Sequence, residues 1–224
     1  MSVCQALIQD THNLSICTNL TDPSPIILVC TVIILLETKE VIVSDKITMR
    51  VAQYPDMDLI AEMIRSTAHW YESIVETKEY PKHFPDEAWK TRNFQLRDFY
   101  VAETPEGPVG AISLQYFDTY AYLGYCNLFE DACGEGNGEK MLAFAATLAL
   151  LSQCDHLIML CHPDADWAVK AIERFGFHQI TNSKDEVLSF ENGVMKPYYE
   201  EGFQLFQFNL QPLYHILHLH SRIN

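Results

Sequence analysis

The sequence has few basic residues. Of its 224 residues, 15 are Lys or Arg and 30 are Asp or Glu, so the formal net charge is −15. Binding to the phosphate backbone of a nucleic acid depends on a basic surface, and we therefore expect no nucleic-acid partner. A cationic partner suits this charge better. The alternative is that the acidic residues serve only solubility.

The sequence also lacks a pattern of paired cysteines. Its seven cysteines are an odd number, include no C-x-x-C pair and mostly lie in apolar runs, where cysteine behaves as a small hydrophobic residue. This predicts a reduced, cytoplasmic protein. His215, His218 and His220 have a loosely metal-like spacing, but no cysteine or carboxylate accompanies them, so we predict no metal site.

No hydrophobic run is long enough to cross a bilayer as a helix. The most apolar stretch, residues 26–36, falls well short of the roughly 20 residues that such a helix needs. The residues before it contain no Lys or Arg, whereas a secretory signal has a basic first region. We therefore expect no association with a membrane and a cytoplasmic location.

The chain divides into three parts. Residues 1–46 contain a breaker cluster at residues 22–25 and then a β-branched run suited to one or two strands, and we treat them as an N-terminal extension of unknown role. Residues 47–210 have the orderly pattern of one domain, with a hydrophobic content of 48% for the whole chain that suffices for a core. Residues 211–224 form a C-terminal tail.

Within residues 47–210, the apolar periodicity predicts a definite order of elements. This order is strand, helix, helix, three strands, helix, strand, helix and two strands. Asp166 is the predicted cap of the last helix and Gly176 its C-terminal glycine. Residues 183–201 form a loop with some strand character at 187–190. The order implies an α/β fold with a mixed sheet and helices on both faces.

Glycine is scarce, yet three of the nine glycines lie in one short turn. The turn reads Cys133-Gly134-Glu135-Gly136-Asn137-Gly138 and stands between a predicted strand and a long apolar helix. Glycine permits positive φ and removes Cβ atoms that would keep a phosphate from the backbone amides, and the N-terminus of the helix adds attraction for an anion. The turn therefore predicts a site for a phosphate-bearing cofactor. A purely structural turn is the alternative, because the Rossmann and P-loop patterns have other spacings.

The glycine turn and its surroundings resemble the GNAT superfamily of N-acetyltransferases over about residues 47–210. Residues 168–177, which end in Gly176 and Phe177, are similar to a second motif of that family. The resemblance implies a GNAT-like acyl-CoA N-acyltransferase fold with acetyl-CoA as co-substrate. It assigns the pyrophosphate to the turn residues Cys133, Gly134, Glu135, Gly136, Asn137 and Gly138, and the pantetheine arm to the backbone of Cys126 and Leu128. Cys133 and Asn137 depart from the family pattern.

The resemblance leaves the catalytic groups less defined. The tyrosine that often protonates the leaving thiolate in that family falls at Ile172, and a frequent asparagine falls at Ala165. Tyr122 and Tyr125, on the strand before the turn, are our candidates for the acid, and His162 is our candidate for the base. For all three residues, an ordinary packing role is the alternative.

These features together predict an acetyl-CoA dependent N-acetyltransferase that acts on a primary amine. The acceptor would be a small amine, a polyamine or a peptide or protein amine. Carboxylates lie beside aromatic residues in residues 69–87, a combination that suits a cationic amine but also an ordinary solvated surface. The alternative function is a catalytically silent acyl-CoA-binding sensor or interaction domain. A homodimer is possible, because the sequence does not determine the oligomeric state.

Overall fold

A computed structural model describes residues 40–44 and 47–214, and these residues form one eight-stranded mixed sheet. The strand order is β1-β2-β3-β4-β5-β6-β8-β7. Only β5 and β6 run parallel, and every other neighbouring pair in this sheet is antiparallel. The strands are β1 Glu40–Ser44, β2 Ile47–Val51, β3 Asp98–Thr104, β4 Gly107–Tyr116, β5 Tyr120–Leu128, β6 His156–Cys161, β7 His178–Thr181 and β8 Gln204–Asn209.

Helices cover both faces of the sheet. They are α1 Asp56–Ser66, α2 Glu87–Leu96, α3 Asn137–Leu151, α4 Asp166–Phe175 and α5 Lys184–Ser189, with 3-10 turns at Ala68–Tyr71, Tyr80–His83, Glu130–Ala132 and Phe190–Gly193. α1 and α2 pack with Phe99, Val101 and Ala111 on one face, and α3 and α4 contribute to the larger core on the other. The predicted α/β fold with a mixed sheet is confirmed.

The local sequence explains where α2 begins, why α3 is apolar and where α4 ends. The Asp86 carboxylate accepts a hydrogen bond from Trp89 N at 2.7 Å, which starts α2. α3 is apolar on most sides because it lies in the core, where Met141 and Phe144 are buried. α4 ends at Gly176, whose φ of 109° suits a residue without a Cβ.

Two local predictions are wrong. Asp166 does not cap α4: Ala165 occupies the N-cap position, and the Asp166 carboxylate accepts instead from Lys170 Nζ at 3.0 Å. Residues 187–190 are not a strand, because α5 runs through Val187 to Ser189 and buries Val187 under the sheet. A short apolar run does not distinguish a strand from a buried helical turn.

The ends of the chain are described only in part. β1, which falls within the predicted extension, pairs with β2 and adds an edge strand to the sheet. The apolar run at residues 26–36 and the histidines at 215, 218 and 220 lie outside the described residues. Over the part of the chain that the structure covers, no helix is both long and apolar enough to cross a membrane.

Candidate active site

The sheet opens between its two parallel strands. β5 and β6 are in register only at Tyr120↔His156, Ala121↔Leu157 and Tyr122↔Ile158. Beyond Tyr122, β5 continues to Leu128 and keeps β4 on one side, while β6 continues to Cys161 and keeps β8 on its other side. The facing edges of β5 and β6 are therefore left without strand partners, and a gap opens between them.

The glycine turn lies at the open end of this gap. Gly134 and Gly136 have φ values of 85° and 76°, as the sequence predicts, and Cβ atoms built at these glycines would meet nothing within 4 Å. Gly136 is the N-cap of α3. The first-turn amides of this 15-residue helix point toward the same space, which suits an anion.

The other turn residues have different roles. Gly138 does not have a positive φ, and a Cβ there would meet only Leu128 Cδ1, at 3.7 Å. Asn137 is buried, and its Nδ2 donates to Ala132 O at 3.2 Å, so it braces the turn from behind. Cys133 is half-buried with its Sγ 3.5 Å from Phe129 O, whereas Glu135 is exposed. The acidic Glu135 side chain therefore extends into solvent.

A cation that the sequence analysis missed lies at the closed end of the gap. The Arg97 guanidinium carbon is 5.3, 5.0 and 4.9 Å from the ring centroids of Tyr122, Tyr125 and Tyr198. Its Nε and Nη1 are buried and have no hydrogen-bond partner among the described residues. Arg97 follows α2 directly in sequence, and no sequence motif singles it out.

A cavity of about 350 Å³ lies beside Arg97, at the other end of the sheet from the glycine turn. It is lined by residues 94–98 and 114–116. The last residues of β4 line it, and these pair with the beginning of β5, whereas the glycine turn follows the end of β5. This cavity is therefore separate from the space in front of α3.

Tyr122 and Tyr125, the predicted acids, lie together around Arg97. Tyr125 is partly buried, its hydroxyl accepts from Trp89 Nε1 at 2.9 Å, and its ring stacks on Phe99. Burial raises the pKa of both tyrosines, and the charge of Arg97 partly opposes this rise. Both hydroxyls are therefore protonated at neutral pH, as a proton donor must be.

His162, the predicted base, comes directly after β6, whereas the two tyrosines belong to β5. Its Nδ1 accepts a hydrogen bond from Asp164 N at 3.2 Å. Its Nε2 faces the Gly202 backbone, and a Cβ built on Gly202 would lie only 2.7 Å from this nitrogen. Burial lowers the pKa of His162, so the ring is neutral at pH 7. With Nδ1 accepting, the proton of the neutral ring is on Nε2.

Ile172 and Ala165, where the resemblance places a tyrosine and an asparagine, are both buried apolar residues. Ile172 is 4% exposed and belongs to the larger core, and Ala165 is fully buried. Neither residue offers a proton, so the acid of any reaction must come from another element.

Residues 69–87 bring aromatic and acidic side chains together near the gap. The Tyr71 ring stacks on His83, with centroids 4.3 Å apart, and meets Trp167 of α4 edge-on at 5.5 Å. Glu79 is buried and makes an ion pair with Lys82. Glu76 instead pairs with Lys78 on the surface.

Glu200, which the sequence analysis did not identify, completes this cluster from the loop before β8. Its Oε2 lies 3.6 Å from His83 Nε2, and both atoms are buried without a hydrogen-bond partner in the described part of the chain. Burial raises the pKa of Glu200 to about 7 and lowers that of His83 to about 4. Burial thus favours the uncharged form of both groups.

The cluster borders the gap. Burial raises the pKa of Tyr71, and three neighbours, Cys161, Glu200 and Cys126, add to the rise. Cys126 belongs to β5 and Cys161 to β6, so the Tyr71 hydroxyl lies within electrostatic reach of both diverging strands and of Glu200. Within residues 47–214, no group of three or more His, Cys, Asp or Glu side chains is arranged to hold a metal ion.

Several solved structures with a similar fold are acetyltransferases. The PaiA N-acetyltransferase of Thermoplasma acidophilum, in complex with coenzyme A, is 13% identical, with a TM-score of 0.56 over 73% of this chain and 98% of its own. A GNAT-family acetyltransferase of Staphylococcus aureus is 15% identical, with a TM-score of 0.56 over 73% and 99%. The spermidine N-acetyltransferase of Vibrio cholerae, with CoA and spermine, is 13% identical, with a TM-score of 0.53 over 76% and 99%.

The sequence comparisons give one match. No curated protein matches the chain. The model of the acetyltransferase (GNAT) family matches residues 62–177, which include the end of α1, the gap, the glycine turn and α4. These residues make up more than half of the 224, and the fold agrees with the match. The chain therefore belongs to the GNAT family of acetyltransferases.

Proposed function

We propose that this protein transfers the acetyl group of acetyl-CoA to the nitrogen of a primary amine. The observation that carries the proposal is that the glycine turn and the β5–β6 gap meet at one end of the sheet. A phosphate site there continues directly into an unpaired strand edge. This arrangement suits a ligand that has a pyrophosphate at one end and an amide-containing arm behind it.

The backbone of the turn holds the pyrophosphate in this proposal. The amides near Gly134, Gly136 and Gly138 are reachable because no Cβ covers them, and Cys133, Glu135 and Asn137 contribute their backbone. The backbone of Cys126 and Leu128, on the free edge of β5, pairs with the pantetheine arm. Neither role needs a particular side chain, so the departures at Cys133 and Asn137 are tolerated.

Tyr125 is the proposed acid for the leaving thiolate, with Tyr122 as second candidate. Both hydroxyls are protonated at neutral pH, and Arg97 beside them stabilises a tyrosinate that has given up its proton. His162 stays a prediction as base, and its hydrogen bond with Asp164 N directs the Nδ1 lone pair away from an incoming amine. Holding the reactants together in the gap contributes to the rate independently of these groups.

An amine acceptor fits the side of the gap opposite the glycine turn. Aromatic rings and carboxylates meet there at Tyr71, Glu79 and Glu200. The net charge of −15 favours the approach of a cation. One structural relative, the Vibrio cholerae enzyme, is named for spermidine, which is an amine of this kind. Residues 47–210 contain all of these groups, and we propose them as the acetyltransferase domain.

The test of this function is the release of free CoA from acetyl-CoA with a panel of amines. The panel contains spermidine, n-butylamine, a lysine-containing peptide and a peptide with a free N-terminus. Release that requires an amine and falls in Tyr125→Phe supports the proposal. Tight binding of acetyl-CoA with no release for any amine, in wild type and variant alike, supports the alternative of an acyl-CoA sensor.

A further inference from the structure

Two buried polar atoms near the gap face each other without making a hydrogen bond. Glu200 Oε2 and His83 Nε2 lie 3.6 Å apart, with side-chain exposures of 23% and 13%, and neither makes a hydrogen bond to a described residue. A polar group that is buried without a hydrogen bond destabilises the folded protein, so this pair calls for a ligand or a function.

Glu200 Oε2 and His83 Nε2 are suited to accept protons. A carboxylate oxygen only accepts hydrogen bonds, and the Nε2 of a neutral histidine accepts when Nδ1 carries the proton. The neighbouring Glu79 adds negative charge, and its ion pair with Lys82 shows that an alkylammonium already lies in this cluster. The rings of Tyr71 and Tyr80 flank His83 and supply π faces. All of these features favour a ligand with N–H donors and a positive charge.

We infer that Glu200 and His83 form the binding site for the ammonium group of the acceptor and that Glu200 is the base that removes its proton. This inference rests on the proposed function and specifies the chemistry of the acceptor side. Glu200 is better placed than His162 because its Oε2 makes no hydrogen bond, whereas His162 Nδ1 accepts from Asp164 N and its Nε2 faces Gly202.

The position of Glu200 connects this site to the proposed cofactor site. Tyr71 lies near Glu200 and also near Cys126 and Cys161, on the two strands that diverge. An amine held at Glu200 is therefore next to the space between β5 and β6. The pKa of about 7 for Glu200 suits a base that works near neutral pH.

The proton balance is as follows. The bound ammonium gives one proton to Glu200, and the neutral nitrogen attacks the thioester carbonyl carbon. A C–N bond forms, the C–S bond breaks, and its electron pair leaves with the CoA thiolate. The Tyr125 hydroxyl protonates the thiolate, the second proton of the nitrogen restores that hydroxyl, and Glu200 then releases its proton to solvent. No oxidant or metal is needed.

Charged and titratable groups around Glu200 come from three segments. His83, Glu79 and Lys82 face it from the segment before α2, Tyr71 from the first 3-10 turn, and Tyr122 and Tyr125 from β5. Lys82 favours ionisation of Glu200, whereas Glu79 opposes it. We expect a rise in activity through pH 7 that reports on the ionisation of Glu200.

The first experiment measures binding without turnover. Glutamate labelled with ¹³C at the carboxyl group gives a signal for Glu200 that is absent from Glu200→Gln and that titrates near pH 7. We expect n-butylammonium chloride to lower this pKa, and tetramethylammonium chloride, which has no N–H, to leave it unchanged. A Glu200 titration that n-butylammonium does not move overturns the inference.

The second experiment measures turnover, with Glu201→Gln as matched control. Glu201 is the next residue, but its carboxylate pairs with Lys184 on the surface. We expect Glu200→Gln to lower kcat/KM for n-butylamine by about 100-fold and to remove the rise in activity through pH 7. Glu200→Asp should recover part of the lost kcat/KM, and Glu201→Gln should have the kcat/KM of wild type. Equal loss in both Gln variants overturns the role of Glu200.

Calorimetry with acetyl-CoA separates the two proposals. If acetyl-CoA binds wild type and Glu200→Gln equally, the fold and the cofactor site are intact, and the kinetic loss belongs to the acceptor side. If acetyl-CoA does not bind wild type, the proposed function fails. In that case a butylammonium effect on Glu200 supports the amine site alone and overturns its catalytic role.

Discussion

Arg97 and Gly124 occupy one space: a Cβ built on Gly124 would lie 1.4 Å from Arg97 Nη1. Gly124 is the extra residue of a bulge, because Tyr125 pairs with Ser113 and Leu123 with Leu114. The bulge comes two residues after Tyr122, the last residue of β5 in register with β6. The guanidinium thus lies against the backbone where the gap begins.

We predict that Gly124→Ala displaces Arg97 from the rings of Tyr122, Tyr125 and Tyr198. The expected loss of stability is about 1 to 2 kcal/mol, the size of a desolvated cation–π interaction. Urea unfolding measures it. Gly138→Ala is the control, since a Cβ there meets only Leu128 at 3.7 Å. A Gly124→Ala protein as stable as wild type would contradict this account of Arg97.

The pair Glu200 and His83 makes opposite contributions to the pH dependence of stability. The pKa of Glu200 rises from 4.5 to about 7 on folding, so its contribution is complete below pH 4.5 and is lost as the pH rises through 7. The pKa of His83 falls from 6.5 to about 4, so its contribution is complete above pH 6.5 and is lost as the pH falls through 4. Each is worth on the order of 3 kcal/mol, and the two nearly cancel.

A variant that lacks one of these two groups should show the pH dependence of stability that the other contributes. In Glu200→Gln we expect stability to fall as the pH is lowered from 6.5 to 4, and in His83→Gln we expect it to fall as the pH is raised from 4.5 to 7. Urea unfolding at several pH values gives the difference from wild type. Differences that do not vary with pH would show that burial does not shift these two groups.

The glycine turn predicts a variant that loses cofactor binding and keeps its fold. Gly138 has no positive φ, so Gly138→Arg introduces no backbone strain and places a large side chain near the first amides of α3. We expect acetyl-CoA affinity to fall at least 10-fold in calorimetry with little change in stability. Gly136→Arg should block binding too, but its φ of 76° adds a stability cost of about 1 kcal/mol or more. Retained binding in Gly138→Arg would place the phosphates elsewhere.

The Tyr125 hydroxyl also has a structural role, because it accepts a hydrogen bond from Trp89 Nε1. Tyr125→Phe removes the acceptor of the Trp89 Nε1 hydrogen bond, and Trp89 is only 7% exposed. We expect a loss of about 1 to 2 kcal/mol in unfolding experiments, from one buried donor left unpaired. If Tyr125 is also the acid, kcat falls while acetyl-CoA affinity stays the same. An unchanged kcat would remove Tyr125 from the proposed chemistry.

The predictions from sequence succeed where the signal is local. The periodicity of α3, the strand His156–Cys161 and the positive φ of Gly134 and Gly136 follow from neighbouring residues. Arg97 and Glu200 were missed because their surroundings come from distant elements: Arg97 precedes β3 but meets tyrosines of β5 and the loop before β8. Glu200 is one of two adjacent glutamates, and only the fold buries it while leaving Glu201 paired at the surface.

The central claim is that the glycine turn and the β5–β6 gap bind acetyl-CoA, and a thermal unfolding titration with acetyl-CoA tests it most directly. A ligand present at 100 times its dissociation constant stabilises the folded state by about 2.7 kcal/mol, which raises Tm by several degrees. We predict this rise for wild type and its absence for Gly138→Arg. No change in the Tm of wild type at millimolar acetyl-CoA would contradict the account.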